Sequence, residues 1–559
     1  MRLQFLIGSR RTEMGEESSR VNAELAARKQ NGAYYTDEAV ARFLVSWALP
    51  GPGGAVLDPS CGDGVFLRQA VSVCSPETVT GVDLSPDAVS AAEAHLRGGP
   101  TRLICADFFS VSPSSLGHYD AVVGNPPFIR FHRFTGPARR QALEAAASAG
   151  VRLTGLSSAW APFMVHAVEF IRPGGRLAMV APAELLHAAY ALPVLRHLCE
   201  RFGSIALVTF ERRLFPSLSQ DALLVLGDNL GGRKRELRLL NLAHPEQLET
   251  LLTVDPFLQA GRALPVAPVV TGRERAVQYL LPEATRRLYS RLESSSATAP
   301  MGEWVAVSIG YVTGSNDFFH LSKRESLDLH IPARYLRRAV RQADQIAGLT
   351  LRESDWLAIA ASGAKCSALD VRAGEARLPD GVRSYLKRGE DRGVHLAYKC
   401  AARRPWYSLN GLTSPDAFLS YMVHVHPVFA VNEAAVVAPN SLLVARLKSG
   451  SPPVRYVALA SITSLACLSA EIEGHSLGGG LLKLEPGEAS RLVLPRPAEV
   501  NGRLNETFEA ADQLVRAGRV SDAQALADDA LLTGIGLSAR DVARLRAATE
   551  ILRRRRLRR

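Results

Sequence analysis

Apolar runs alternate with amphipathic stretches along the first 230 residues, a pattern typical of an α/β fold. An amphipathic helix is predicted at 37–48, with Thr36 as its N-cap, and a Gly-Pro-Gly-Gly break follows at 51–54. The predicted strands lie at 55–58, 78–84, 102–106, 119–123, 176–181, 204–210 and 222–226. The predicted helices between them include 65–74, 86–97, 159–172 and 191–202. This alternation predicts a doubly wound sheet.

The periodicity weakens after residue 232, which indicates a change of domain. We predict a linker with some helix at 233–300, since this segment ends in a patch of small residues at 294–300. A mixed domain is predicted at 301–500, with strands at 304–309, 436–437 and 442–447 and a helix at 457–468. The pattern is helical from 501 to 559 and closes on a run of arginines, whereas 1–31 is predicted to form a polar N-terminal arm.

Length and composition are those of a multidomain globular protein. At 559 residues the chain is too long for one ordinary domain, and its 47% hydrophobic and 22% charged content is normal for a soluble protein. A net charge of +11 fits a polyanionic partner, or only a solvated basic surface. The seven cysteines form no Cys-x-x-Cys pair, which argues against a zinc site or disulfide framework and fits a reducing cytosol. No run of about 18 apolar residues predicts a membrane span, and the apolar run at the start is too short for a signal peptide.

Polar side chains follow four successive predicted strands. Asp58, Asp83, Asp107 and Asn125 stand at these strand ends. The glycine-rich run 58–64 lies between a strand and a helix, where the backbone can approach a ligand closely. Open α/β sheets bind ligands at this carboxyl edge, and an acid at the second strand typically binds ribose hydroxyls. The alternative is that each acid only caps the following helix.

The run Asn125-Pro126-Pro127-Phe128 suits an amino group carried on a flat ring. Such an amine is a weak nucleophile because its lone pair is delocalised into the ring. The Asn125 side-chain oxygen and the Pro126 carbonyl can accept its two hydrogens, and Phe128 can stack on the ring. The prolines fix the backbone and remove competing N–H groups. The alternative is a strand-ending turn, since Asn-Pro commonly opens one.

Together these residues resemble the adenine-specific DNA methyltransferases of the TaqI-like (gamma) class, which use S-adenosylmethionine. The resemblance rests on the Tyr-Tyr-Thr run at 34–36, the loop at 58–64 and the Asn-Pro-Pro-Phe run at 125–128. It implies a Rossmann-like class I methyltransferase domain at 32–232, followed by a target-recognition domain at 301–500. It also implies a bacterial, cytoplasmic and nucleoid-associated enzyme of a restriction-modification system, acting on N6 of an adenine flipped out of double-stranded DNA.

Site residues follow from the same resemblance, position by position. The expected cofactor contacts are Thr36, Asp58, Cys61, Gly62, Asp83, Asp107 and Phe108. The residues expected to hold the adenine are Asn125, Pro126, Pro127 and Phe128. Phe215, in a Leu-Phe-Pro run before a strand, matches a base-stacking position of the family, although a core role is equally typical there. No metal is expected.

The second half continues the resemblance through runs at 310–319, 403–407, 478–480 and 484–486. Basic and aromatic residues are interleaved there, as suits phosphate contact and base wedging, and Arg403, Arg404 and Trp406 are the candidates. Arginines 334, 337, 338 and 341 would share one face if this segment were helical. The alternatives are a solvated basic face and a Trp406 in the core. The arginine-rich end either binds DNA nonspecifically or is disordered.

Three other functions stay open. The first is methyl transfer to RNA or to a protein glutamine, because those enzymes share the Asn-Pro-Pro-aromatic run. The second is a combined restriction and methylation enzyme, but no Pro-Asp…Asp/Glu-x-Lys pattern precedes residue 34, so cleavage is expected from a separate endonuclease. The third is a methyltransferase-like subunit of a defence complex that only binds DNA, against which the intact run at 125–128 argues.

Overall fold

The computed structural model describes residues 36–96, 101–129, 133–155, 157–215, 221–251, 261–372, 374, 377–477, 480–497 and 503–557. The chain divides into two compact units. The first unit extends to Leu280 and the second runs from Leu281 to Leu557.

A nine-stranded sheet forms the centre of the first unit. Its strands are β1 (Ala55–Asp58), β2 (Thr78–Asp83), β3 (Thr101–Cys105), β4 (Tyr119–Gly124), β5 (Ile171–Pro182), β6 (Phe202–Phe210), β7 (Ala222–Leu230), β8 (Glu236–Leu242) and β9 (Arg262–Leu264). They are ordered β3-β2-β1-β4-β5-β7-β6-β8-β9. The strands β3, β2, β1, β4 and β5 are parallel, whereas β7 is antiparallel to both of its neighbours. The doubly wound sheet is therefore confirmed.

Apolar side chains bury both faces of the central strands, as expected when helices cover a parallel sheet. Val122 and Val123 of β4 are fully buried, as are Leu57 of β1 and Val180 of β5. The helices of this unit are Glu38–Ala48, Val65–Cys74, Pro86–His95, Pro113–Leu116, Gly136–Ser148, Trp160–Val168, Leu192–Arg201, Gln247–Leu251 and Val266–Val270.

Several predicted elements need correction. The first helix is capped by Asp37, whose side chain accepts from the Ala39 amide, and not by Thr36. The helix predicted at 159–172 ends at Val168 because β5 begins at Ile171. The described residues of segment 233–300, predicted as a linker, contain three helices, Gln247–Leu251, Val266–Val270 and Glu283–Glu293, together with β8, β9 and the strand Thr298–Pro300. The helix Pro86–His95 is capped by Ser85, whose side chain accepts from the Ala88 amide.

The second unit contains several small sheets. Its strands are β10 (Thr298–Pro300), β11 (Val305–Ile309), β12 (His320–Ser322), β13 (Leu336–Arg338), β14 (Thr350–Leu351), β15 (Lys365–Leu369), β16 (Ala417–Ser420), β17 (Met422–Val423), β18 (Phe429–Asn432), β19 (Leu442–Leu447), β20 (His475–Ser476), β21 (Leu482–Lys483) and β22 (Val493–Pro495). The largest sheet has the order β11-β19-β16-β18-β14. The prediction of a strand at 436–437 is wrong, since Val437 makes only an isolated bridge with Ala339.

Helices surround these sheets. They are Glu283–Glu293, Met301–Trp304, Asn316–Phe319, Lys323–Asp328, Glu353–Ala361, Asp380–Asp391, Tyr398–Ala401, Val454–Ser461, Ser464–Glu473, Pro486–Ser490, Arg503–Arg516, Val520–Ala527 and Ala539–Leu557. The single helix predicted at 457–468 is therefore wrong, because the chain breaks between Val454–Ser461 and Ser464–Glu473. Thr463 caps the second of these helices by accepting from the Ala466 amide. None of the described helices could by itself cross a membrane; these two reach the required length only as a pair bent by 73°, and both are largely buried.

The arginine-rich end belongs to the last helix and packs into the second unit. The Arg556 guanidinium forms an ion pair with Glu471, with both side chains 4% exposed, and also donates to the His424 carbonyl. Arg553 is 13% exposed and lies 3.7 Å from the same carboxylate. Neither alternative in the prediction, a disordered end or a free DNA-binding tail, describes these two arginines.

Candidate active site

The carboxyl ends of β1, β2 and β4 bring the predicted polar residues to one edge of the sheet. Asp58 is in register with Gly81 of β2, and Asp83 with Cys105 of β3. Val56 and Leu57 of β1 pair with β4, which ends at Gly124. Because these strands are parallel, the residues that follow them share this edge.

The loop at 58–64 turns back over the end of β2. The Gly62 amide donates to Asp83 Oδ2 at 2.9 Å, and the Cys61 amide donates to the Val82 carbonyl at 3.0 Å. Gly62 has a φ of +53°, and a Cβ there would meet no atom within 4 Å. The loop therefore leaves open space beside its backbone, as a ligand-binding glycine turn requires.

Asp58 is the last residue of β1 and the first of this loop, and it is fully buried. Its Oδ1 accepts from the Ser60 amide at 3.1 Å, whereas Oδ2 has no hydrogen-bond partner among the described residues. Burial raises the pKa of this carboxyl to about 8; the Ser60 bond opposes the shift, and the charges of Asp83 and Asp63 add to it. Asp58 is therefore mostly protonated at neutral pH.

Asp83 is half-buried, and both of its oxygens accept from backbone amides. Oδ2 accepts from Gly62 and Oδ1 from Ser85, each at 2.9 Å. These bonds hold the carboxylate at the tip of β2, beside Leu84, which is 71% exposed. Nearby, the Cys61 thiol is buried, and burial raises its pKa, so it is a packed thiol and not a nucleophile.

Asp107 and Phe108 both have partners within the described residues of the first unit. Asp107 accepts from the Phe109 amide at 3.0 Å and so caps a short 3-10 helix. The Phe108 ring is 4% exposed and lies 4.8 Å from Phe163 and 4.7 Å from His166, centroid to centroid. These contacts favour a packing role for Phe108, while its predicted contact with cofactor stays a prediction.

Two hydrogen bonds hold Asn125, one through its side chain and one through its backbone. Its Nδ2 donates to Thr36 Oγ1 at 3.2 Å, and its backbone carbonyl accepts from Ser60 Oγ at 3.2 Å. No donor among the described residues reaches Asn125 Oδ1 or the Pro126 carbonyl. The strand end thus presents two free acceptors, and the amide group is fixed with its oxygen available.

The two aromatic rings that were predicted to stack on the adenine are buried. Phe128 is 7% exposed and Phe215 is 8% exposed, so both rings pack within the first unit. Pro127 is half-buried, and Pro126 is buried. Tyr34, Tyr35 and Pro216, on which part of the resemblance rests, lie outside the described residues.

A further polar network follows β5 and was missed in the sequence. Glu184 accepts from the Tyr190 hydroxyl, which in turn accepts from the Trp160 indole at 3.1 Å. Burial and the Glu184 charge raise the pKa of Tyr190 well above its usual range. The three residues are 6 to 30 positions apart and follow no known spacing, so only the fold reveals them. Within the described residues, no group of histidine, cysteine and acidic side chains could hold a metal ion.

Two protein families match parts of this chain. Residues 56–149 match the family described as methyltransferase domain, and residues 273–532 match the family described as Type II methyltransferase M.Eco57I, C-terminal domain. This chain is a methyltransferase. Its fold is that of the class I enzymes, and its cofactor is S-adenosylmethionine.

Two curated relatives cover most of the methyltransferase. The Type II methyltransferase M.XamI of Xanthomonas campestris pv. amaranthicola is 26% identical over 83% of this chain and 85% of its own length. The Type II methyltransferase M.AccI of Acinetobacter calcoaceticus is 20% identical over 84% and 86%, respectively. A cryoEM structure of a DrdV–DNA complex superposes with a TM-score of 0.50 and 10% identity over 88% of this chain, which spans 58% of that protein. This last likeness concerns the fold alone.

The residues at the sheet edge fit the cofactor. Open space beside Gly62 admits a ligand, and the Asp83 carboxylate lies where ribose hydroxyls are bound in such folds. The unpartnered Asp58 oxygen offers a buried acceptor or, once ionised, a negative charge for a cationic sulfonium. These residues therefore match S-adenosylmethionine in polarity and charge, while their contacts with it stay a prediction.

In the second unit, the predicted DNA contacts differ in their surroundings. Arg404 is exposed, and its guanidinium donates only to nearby carbonyls. The Trp406 indole donates to Glu390 at 3.1 Å, and its ring lies 5.6 Å from Phe318, so it packs on the core of this unit. Arg403 donates to the carbonyls of Val312 and Thr313.

The arginines at 334–341 do not form one helical face. Arg337 and Arg338 belong to strand β13, and they pair with Asp370 and Glu353 at 2.7 and 3.1 Å. Short strands replaced the expected helix because β13 is hydrogen-bonded to β15, a partner that no local pattern reveals.

Proposed function

We propose that this chain is a site-specific DNA methyltransferase. It transfers a methyl group from S-adenosylmethionine to the exocyclic N6 of an adenine flipped out of double-stranded DNA. Its biological role is modification of host DNA in a restriction-modification system, with cleavage left to a separate endonuclease. The similarity to M.XamI and M.AccI, both type II methyltransferases, supports this role.

One observation carries the proposal. Asn125 Oδ1 and the Pro126 carbonyl are adjacent acceptors at the end of β4 that no donor among the described residues reaches, on the edge that fits the cofactor. An exocyclic amine on a purine ring has two hydrogens and therefore needs two acceptors. A hydroxyl or a ring carbon would use at most one of them.

The residues of the chain then act as follows. Thr36 and Ser60 hold the side chain and backbone of Asn125 before substrate arrives. The two acceptors accept hydrogen bonds from the two N6 hydrogens. These bonds draw the nitrogen lone pair out of conjugation with the ring. Bound S-adenosylmethionine supplies an electrophilic methyl group to that nitrogen. Preorganised acceptors also stabilise the positive charge that develops on the amine, so no strong base is required, and the methylated nitrogen loses its surplus proton to solvent afterwards.

DNA is the substrate that the remaining features favour. An adenine inside a duplex must leave the base stack, which costs a few kcal/mol. A second unit of about half the chain and a net charge of +11 provide surface and charge for duplex binding. The cryoEM structure that shares this fold is a complex of DrdV with DNA, which favours DNA as the partner of this chain.

The test is to express the chain in a host that lacks DNA methylation and to sequence its genome for modified bases. We expect N6-methyladenine at one short motif. Asn125→Ala should remove all methylation while the purified variant still binds S-adenosylmethionine, and Asp87→Ala, an exposed change on the helix Pro86–His95, should leave it intact. Unmodified DNA from the wild type, or label transferred to RNA or protein in vitro, would reject the proposal.

A further inference from the structure

The second unit contains an open groove of about 560 Å³ that has no role so far. The paired strands β11 and β19 contribute to its floor, through Ile309 and Val444. The segment 399–413 forms one wall. None of the residues at the carboxyl edge of the first unit's sheet lines it, whereas Arg403, predicted above to contact DNA, does.

A close backbone contact fixes the floor. A Cβ at Gly310 would lie 2.3 Å from the carbonyl oxygens of both Ala438 and Pro439. The next amide, that of Tyr311, donates to the Ala438 carbonyl at 3.1 Å. Only glycine permits this approach, so the groove has a rigid base.

Arg403 fixes the wall. Its guanidinium donates to the carbonyls of Val312 and Thr313, and it lies 5.2 Å from the Phe319 ring centroid. The Cys400 thiol donates to the same Thr313 carbonyl at 3.3 Å. The Arg403 guanidinium is therefore used in contacts that hold the wall. The hydrogen-bond donors that a ligand could use come from other residues.

Three other side chains provide those donors. Lys399 and Asn410 are exposed on the wall. Arg446 donates through Nη2 to Thr413, and its Nε and Nη1 have no partner among the described residues. No carboxylate belongs to the residues found to line the groove. The groove is consequently cationic and has unused hydrogen-bond donors.

Apolar surface accompanies these donors. Tyr398, at the edge of the wall, is 82% exposed, and Lys399 Nζ lies 5.3 Å from its ring centroid. Ile309 on the floor is 45% exposed. A ligand that combines negative charge with flat apolar faces and polar edges matches all of these features, and DNA is such a ligand.

We propose that this groove reads part of the DNA recognition sequence, with Asn410 contacting a base edge and with Lys399 and Arg446 contacting the backbone phosphates. This inference rests on the proposed function. Asparagine has a donor and an acceptor in one amide and can bind a single base bidentately, whereas lysine binds phosphate as a point charge. Arg403 positions the wall and does not contact DNA.

The test uses the full-length chain with Lys399→Gln, Asn410→Ala and Arg446→Gln, and with Arg519→Ala as a control. Arg519 is 64% exposed, pairs with Asp522 and does not line the groove. Genome sequencing from the methylation-free host measures the recognised motif. Fluorescence anisotropy with a labelled duplex at several salt concentrations measures binding, and melting temperatures verify folding.

We expect Lys399→Gln and Arg446→Gln to weaken binding to all duplexes and to lower the salt slope by about one each. Asn410→Ala should reduce discrimination at one motif position by about tenfold to a hundredfold. Unchanged motif, affinity and salt slope in all three folded variants would overturn the groove assignment while a methylating wild type upholds the function. If the wild type does not methylate DNA, the proposed function fails, and the binding data still decide whether the groove contacts a duplex.

Discussion

The buried carboxyl of Asp58 makes the stability of the first unit depend on pH in a direction that can be worked out. Its pKa is raised from 3.8 to about 8 in the folded protein because burial disfavours the charged form. Between these two values the folded chain binds more protons at this site than the unfolded chain. The free energy of unfolding therefore falls as pH rises through this window and levels off above pH 8.

The magnitude follows from the same shift. One pKa unit corresponds to about 1.4 kcal/mol, so Asp58 should contribute a loss of about 2 kcal/mol between pH 6.5 and 8. Asp58→Asn removes the titration while keeping the side-chain volume. The variant should then gain stability over wild type by this order of magnitude as pH rises across the window.

Hydrogen exchange provides the assay, because it reports on the first unit separately from the second. Exchange of β1 and β4 amides, followed by mass spectrometry, measures the free energy of opening at pH 6.5, 7.25 and 8 after correction for intrinsic exchange rates. Asp87→Asn, at an exposed carboxylate, is the matched control. Parallel pH profiles for wild type and Asp58→Asn would refute the reasoning.

Three other substitutions test contacts described above. Thr36→Val removes the hydroxyl that holds Asn125, so methylation should slow by about tenfold or more while calorimetry gives an unchanged cofactor affinity; a weaker affinity would instead assign Thr36 to the cofactor. Asp83→Asn should weaken S-adenosylmethionine binding in calorimetry by roughly 10- to 100-fold, since a charged hydrogen bond contributes about 1.5–3 kcal/mol. Arg556→Ala leaves Glu471 buried and unpaired, so denaturant unfolding of the second unit should show a loss of about 3–5 kcal/mol, most of which the double variant with Glu471→Leu should recover.

Much of the first unit could be predicted because its signals are local. The strands near residues 55, 78, 102 and 119 are apolar runs bounded by turns, and the structure places them within one residue of the prediction. Residues that end parallel strands must share an edge, so the grouping of Asp58, Asp83 and Asn125 also followed. The failures come from contacts between distant residues. Thr36 bonds to Asn125, 89 positions away, and its role as a helix cap was lost to the adjacent Asp37.

The second unit was harder to predict for the same reason. The helix at 457–468 was expected to be continuous, although it contains Ser461, Thr463 and Ser464. It breaks where the Ser464 amide and hydroxyl both donate to the buried Asp528, 64 positions further along the chain. The arginines at 334, 337, 338 and 341 have helical spacing, but Arg337 and Arg338 lie in a strand that pairs with Ala368 and Ser367 of β15. The orientation of the Trp406 side chain likewise depends on its contacts with Glu390 and Phe318, which no spacing rule connects to it.

The pairing of β10 with β22 has a consequence for how such proteins diversify. The two strands are antiparallel neighbours, and the Met301 amide donates to the Leu492 carbonyl just inside them. The segment between Pro300 and Val493, which includes the cationic groove, therefore begins and ends at adjacent positions in the structure. Segments whose ends lie side by side are tolerated as insertions or replacements. Recombination at this single seam could exchange the whole segment as a cassette, and a new specificity could arise without any change to the residues that bind S-adenosylmethionine.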